Sequence, residues 1–273
     1  MWSQLSHSRG KSTRRNGNTC STHELCRNGL RDIADVLRLS DIADLGNAAE
    51  NEELAPGDLG DMETVEAMVE GCDGIVHLGG QSYERPFEPV LNANIRGMFN
   101  LYEAARKHGC PRIFYASSVH AVGFQRRDAK LDASAVPMAD SLYGASKVYG
   151  EQLAIAYHMK YGIETARVRI GSCLPEPETQ RNLSTWLSHG DLLSLITTVF
   201  SAPYLGCPVI YGCSANSASW WDNREADYLG WSPKDSADDW RDRIEVQDRS
   251  GAATDDPAIL YQGGDFAAQD IER

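Results

Sequence analysis

Positive charge is what this sequence is short of. Its 273 residues carry 39 acidic side chains against 26 basic ones, a net charge of −13 and a pI near 4.9. That balance excludes the attraction to phosphate backbones and anionic lipid that a basic surface provides, so neither nucleic acid nor a membrane is the expected partner and a small molecule is. No run approaches the ~20 apolar residues of a membrane helix. Polar residues also stand where a signal peptide would have its apolar core, so a cytoplasmic protein is expected. The seven cysteines, at positions 20, 26, 72, 110, 173, 207 and 213, include no Cys-x-x-Cys and are odd in number. They fit neither a zinc site nor a disulfide framework, and no metal is expected.

A phosphate-binding turn is also lacking. HSRGKST, residues 7–13, contains the Gly-Lys-Ser-Thr that ends a nucleoside triphosphate loop, but Leu5 stands where the first glycine of Gly-x-x-x-x-Gly-Lys should be. MWSQLSHSRG does not read as the strand that must precede such a loop. A solvated basic N-terminus is expected instead.

What is present is alternation. From residue 32 onward short apolar runs alternate with amphipathic segments, which implies an α/β fold: a Rossmann-like, doubly wound parallel sheet with helices on both faces. ADVLRLSD (34–41), GIVHLGG (74–80), RIFYASS (112–118) and ETARVRIGS (164–172) read as strands. METVEAMVEGC and NIRGMFNLYEAARKHGC read as crossover helices, their apolar residues three and four apart and a glycine near each end. After residue 172 the composition shifts to Pro, Trp and Ser. The expected organisation is an atypical, disordered segment over 1–29, a cofactor-binding core over 30–172, a small C-terminal substrate cap with remaining core elements over 173–232, and an acidic peripheral tail over 233–273.

Ligands in such sheets bind beyond the carboxyl ends of the strands, which directs attention to Asp41, to Gly79 through Ser82, to Ser117 through His120, and to Gly171 and Ser172. SLYGASKVYGEQLA places Tyr143 and Lys147 four apart on one helical face. An ammonium beside a phenol favours the phenolate and makes tyrosine usable as a general base; by spacing alone, a surface pair on a helix remains open. Asp41 closes a strand where a carboxylate can accept from ribose hydroxyls and repel a 2′-phosphate, although a turn aspartate would look the same.

Taken together, Tyr143-Gly-Ala-Ser-Lys147, Ser118, GCDGIVHLGG, NLYEAARKHG, RIGSC, LSTWLSH, LGCPVIYGCSAN and WWDN resemble the extended short-chain dehydrogenase/reductase (NAD-dependent epimerase/dehydratase) family, and more narrowly its uronate dehydrogenases. The resemblance covers about residues 34–232. It implies NAD as cofactor and oxidation of a hexuronic acid (galacturonate or glucuronate) at C1 to the aldarolactone, with Tyr143, Lys147 and Ser118 as catalytic residues. It further implies cofactor contacts at Asp41, Ile42, Asp58, Leu59, Leu78, Gly79, Gly80, Asn94, Tyr143 and Lys147. Substrate contacts are implied at Ser82, Ser118, His120, Ser172 and Arg181, the last binding the sugar carboxylate, and a homo-oligomer is possible.

Two departures stand out. The family's first strand and Gly-x-x-Gly-x-x-Gly turn should end about 18 to 20 residues before Asp41, where Ser21, Thr22 and His23 stand. The first strand and glycine-rich turn are therefore expected to be missing, and a shifted reading frame or miscalled start is the expected cause. Val119 replaces the asparagine between Ser118 and His120, withdrawing a sugar hydrogen bond. The competing functions are a neutral aldose or sugar-phosphate 1-dehydrogenase, a nucleotide-sugar epimerase or dehydratase, and a silent relative that has lost its cofactor.

Overall fold

The computed structural model describes residues 2–4, 22–244 and 255–272. Its centre is a seven-stranded parallel sheet in the order β3-β2-β1-β4-β5-β6-β9. The strands are β1 (Trp2–Gln4), β2 (Leu37–Ser40), β3 (Glu52–Leu54), β4 (Ile75–His77), β5 (Arg112–Ser118), β6 (Glu164–Ile170) and β9 (Val209–Gly212); β7 (Ser172–Cys173) and β8 (Trp186–Leu187) form a separate pair. Helices α1 (Thr22–Gly29), α2 (Met62–Val69), α3 (Phe87–Val90), α4 (Gly97–His108), α5 (Leu142–Tyr161), α6 (Asn182–Thr185) and α7 (His189–Ser201) connect them, and the short α8 (Pro257–Leu260) and α9 (Asp265–Ala268) follow.

The expectation of a missing first strand is corrected. Trp2–Gln4 lies between β2 and β4, with Ser3 opposite Leu39 on one side and Val76 on the other. Three residues are too few to show a strand period, and Trp-Ser-Gln has no apolar run, so the sequence carried no signal for it. The Gly-Lys-Ser-Thr string lies outside the described residues; of the three positions where the glycine turn should end, Ser21 also lies outside them, and Thr22 and His23 begin α1.

The interior strand β5 shows why the sheet is covered on both faces. Side chains alternate along a strand: Ile113 and Tyr115 join the apolar layer of Val65, Met68, Leu101 and Tyr102, while Phe114 and Ala116 join that of Leu39, Val76, Val168, Leu195 and Ile196. Phe114 is fully buried, which contributes about 1.5–3 kcal/mol. β5 matches β6 over its whole length, from Arg112 opposite Glu164 to Ser118 opposite Ile170, so the Ser117-Ser118 end is held rigidly at the carboxyl edge.

Helix boundaries follow from caps. Ser141 accepts the Gly144 N–H at 2.9 Å to start α5, and Gly162 ends it at φ 73°, a left-handed position that suits glycine. A π-helical segment, Leu91–Arg96, precedes α4 and carries buried Asn94.

The tail also departs from expectation. Gln262 is fully buried: its Nε2 donates to Arg126 O and Ala129 O, both at 3.0 Å, and its Oε1 accepts from Trp221 Nε1 at 2.9 Å. Gly263 N donates to Gly123 O at 2.8 Å. Trp240 packs on Trp186 with ring centres 5.0 Å apart. These residues belong to the body of the fold; the acidic composition concealed a few anchors that do the packing.

Candidate active site

The carboxyl edge of β4, β5 and β6 opens into a cavity of about 560 Å³, lined by Gly79, Gly80, Ser82, Ser118, His120, Tyr143, Lys147, Ser172 and Phe266 among others. Tyr143 and Lys147 stand one turn apart on α5 and are both buried. The Lys147 Nζ donates to Ala116 O at 2.8 Å and lies 5.6 Å from the Tyr143 ring centre. Burial pushes the Tyr143 phenol up to about 12, partly offset by its hydrogen bond with Ser118, and burial pulls the Lys147 ammonium down to about 8. Desolvation is the largest influence on the phenol and raises it, against the lowering expected from the lysine. The consequence is a coupled pair whose first proton leaves from near neutrality upward.

Next to this cavity, and sharing Gly80 and Gln81 with it, is a niche of about 130 Å³ lined by Asp41, Ile42, Asp58 and Leu59. Asp41 is buried at the end of β2, where its Oδ1 accepts from Ala43 N at 2.9 Å. Asp58 accepts from Gly60 N at 2.8 Å. Gly80 has φ 116°, and a Cβ there would sit 2.5 Å from Asn94 Oδ1. Only glycine fits, so the backbone stays bare where the two hollows meet. A carboxylate niche, a bare backbone and a cavity with a Tyr–Lys pair, in series along one sheet edge, fit an adenosine dinucleotide.

Not every expected residue reaches the cavity. Asn94 is saturated: its Oδ1 accepts from Gln81 N at 2.7 Å, and its Nδ2 donates to Gln81 O at 3.0 Å and Ser146 Oγ at 2.8 Å. It ties the loop after β4 to α5. Arg181 does not line the cavity either. Its Nη2 and Nε donate to Gln262 O at 2.6 and 3.2 Å, Nη1 is 3.5 Å from Ser172 Oγ, and burial pulls its pKa down to about 10. Val119 packs with Leu131, Tyr211 and Trp221 in an apolar cluster instead of facing the cavity.

Sequence reasoning missed three site residues. Phe266, from the segment expected to be peripheral, stacks on His120 with centroids 4.0 Å apart; the Gln-Gly-Gly-x-Phe string was its available signal. Asp140 contacts His120 Nδ1 through Oδ2 at 2.7 Å, and nothing in the spacing from 120 to 140 announces that. Glu84, buried, accepts the Tyr143 backbone N–H at 3.2 Å and so holds the start of α5. Beneath the site Glu151 is fully buried, takes two hydrogen bonds from Arg169 at 2.9 and 2.8 Å and one from Ser117 at 2.6 Å.

The comparisons with known proteins agree with this geometry. Residues 21–186 match the model of the family described as NAD dependent epimerase/dehydratase. The chain is 51% identical to a uronate dehydrogenase of Agrobacterium fabrum over 90% of its length and 92% of the relative's. It is 49% identical to one of Pseudomonas putida, over 89% and 91% respectively. Among solved structures, a mutant uronate dehydrogenase from Agrobacterium tumefaciens complexed with NAD superposes with a TM-score of 0.90 at 45% identity, covering 100% of this chain and 98% of that one. A glucuronic acid dehydrogenase from Chromohalobacter salexigens gives 0.89 at 48% identity, covering 92% and 94%. By sequence and fold, the chain belongs to the NAD-dependent epimerase/dehydratase family, among the uronate dehydrogenases.

Proposed function

We propose that this chain oxidises a cyclic hexuronic acid at C1 to the aldarolactone, with NAD as the oxidant. The observation that carries the reading is the convergence of Tyr143, Ser118 and Lys147 on one cavity at the carboxyl edge, continuous with the Asp41 niche. Bound NAD would supply the hydride acceptor, held by Asp41, Ile42, Asp58, Leu59 and the bare Gly80 backbone.

The remaining chemistry belongs to the chain. Ser118 holds the anomeric oxygen, and Tyr143 takes its proton as the C1 hydrogen departs. The Lys147 ammonium, 5.6 Å from the Tyr143 ring centre, favours the phenolate form that accepts that proton, against the desolvation that opposes it. His120 and Ser82 bind sugar hydroxyls. Ser172 reaches the C6 carboxylate, with the Arg181 guanidinium next to it supplying charge. Asp41 at the ribose position favours NAD over a 2′-phosphorylated cofactor.

Because Arg181 is engaged by Gln262, a neutral aldose is the second reading. Adding NAD with galacturonate, glucuronate or galactose and following NADH absorbance decides between them: faster turnover of the two acids supports the uronate reading, and equal or faster turnover of galactose overturns it. Tyr143→Phe should abolish turnover while leaving NAD binding intact by calorimetry.

A further inference from the structure

We infer that Asp140 is a positioning residue that fixes the tautomer of His120, so that Nε2 presents a lone pair to a sugar hydroxyl. This rests on the sugar-dehydrogenase reading above. The Asp140 side chain is fully buried, its Oδ2 lies 2.7 Å from His120 Nδ1, and its Oδ1 accepts from Ser141 Oγ at 2.8 Å. A carboxylate has only acceptors, so the proton between the two groups sits on Nδ1, and a neutral ring then keeps an unprotonated Nε2. The ring is also held from turning. Phe266 stacks on it at 4.0 Å, Tyr143 meets it edge-on at 5.8 Å, and its own backbone N–H donates to Ser118 Oγ at 3.2 Å.

The surroundings are shaped for this carboxylate. A Cβ on either Gly123 or Gly263 would come within 1.9 Å of Asp140 Oδ2, and one on Gly144 within 3.2 Å of Oδ1 and 2.4 Å of His120 O. Three segments far apart in the chain therefore lack side chains at the one place where Asp140 must reach under the histidine. The cavity wall is thereby set to accept a hydrogen bond from a sugar hydroxyl. An Nε2–H in its place would favour the carboxylate end of the substrate and could invert its orientation.

Nitrogen-15 NMR of the full-length protein, with the His120 signal assigned through His120→Gln, tests this directly. At pH 8 to 9 a ring protonated on Nδ1 alone is expected, and a ring protonated on Nε2, alone or together with Nδ1, overturns the inference whatever the variants do. Asp140→Asn, which keeps the shape but can offer Nδ1 an N–H donor, should raise the Nε2–H population. It should also raise KM for galacturonate about tenfold with a smaller change in kcat. In a His120→Ala background the same change should cost nothing further; an equal loss there would show that Asp140 acts through packing and refute the proposal. If no form oxidises galacturonate, the proposed function fails, and the tautomer reading still decides this inference by itself.

Discussion

The ordering of the two central pKa values makes a sharp kinetic prediction. With Lys147 near 8 and Tyr143 near 12, the pair carries two protons below pH 8 and one above it. Tyr143 can take the anomeric proton only from the one-proton state, because in the two-proton state the phenol is already protonated. That state contains phenolate–ammonium and phenol–amine forms, and its apparent pKa belongs to the pair and not to either residue. The profile of kcat/KM, which reports the free enzyme, should therefore rise one log unit per pH unit and level off above about 8. At pH 6 only about 1% of the pair is in the one-proton state, so the value should be about a hundredfold below the plateau. The assay is the initial rate of NADH formation with galacturonate from pH 6 to 10 at constant ionic strength; the substrate carboxylate does not titrate in that window. Lys147→Met leaves the phenol alone, so the break should move upward and the rate should climb through the whole range from a much lower base. A flat profile between pH 6 and 9, or a break that stays put in Lys147→Met, would refute the argument.

Other consequences follow from burial. Because the folded pKa of Lys147 lies near 8 and its ordinary value is 10.5, the unfolded chain binds the proton more readily. The penalty is full below pH 8 and gone above 10.5, so Lys147→Met should gain about 3 kcal/mol at pH 7, less about 1 kcal/mol for the donor lost to Ala116 O. Urea melts at pH 7 and 10.5 measure it, and equal gains at both would contradict the desolvation account. Gly80→Ala places a methyl 2.5 Å from Asn94 Oδ1 at φ 116°; it should destabilise by about 1–3 kcal/mol and weaken NAD binding by calorimetry, whereas unchanged affinity would show that the bare backbone is not used. Glu151→Ala leaves Arg169 buried and unpaired, and thermal unfolding should reveal a loss of about 3–5 kcal/mol.

β4 and β5 were readable because each pairs a compact apolar run with a polar residue at the carboxyl end, as Ser117 and Ser118 follow Ile113 through Ala116, whereas β6 shows apolar Ala166, Val168 and Ile170 at every second position. Tyr143 and Lys147 were readable because helical spacing is local. Other elements were hidden for physical reasons. β1 and β3 are three residues long, and β3 contains two glutamates, one of them, Glu52, buried only because Arg27 and Arg31 reach it and hold its carboxyl down at about 2. Arg181 shows the opposite limit: the residue type suited a carboxylate, but which group it holds is decided by Gln262, 81 positions away. The Asp140–His120 contact, the glycines around it and Phe266 depend on folded distances that no periodicity encodes.

Phe266, which lines the cavity, follows a segment whose Gln262 and Gly263 rest on loop residues 123–129, with hydrogen bonds such as Arg127 to Tyr261 O spanning 134 positions of chain. Closing so long a loop forms contacts late and at high entropic cost, whereas the β5–α5–β6 framework beneath is built from near neighbours. The catalytic residues should therefore reach their native positions before the substrate chamber has its outer side. On the way out of the native state the order reverses: the chamber opens first, so in rising denaturant affinity for the sugar should fade while the sheet is still intact.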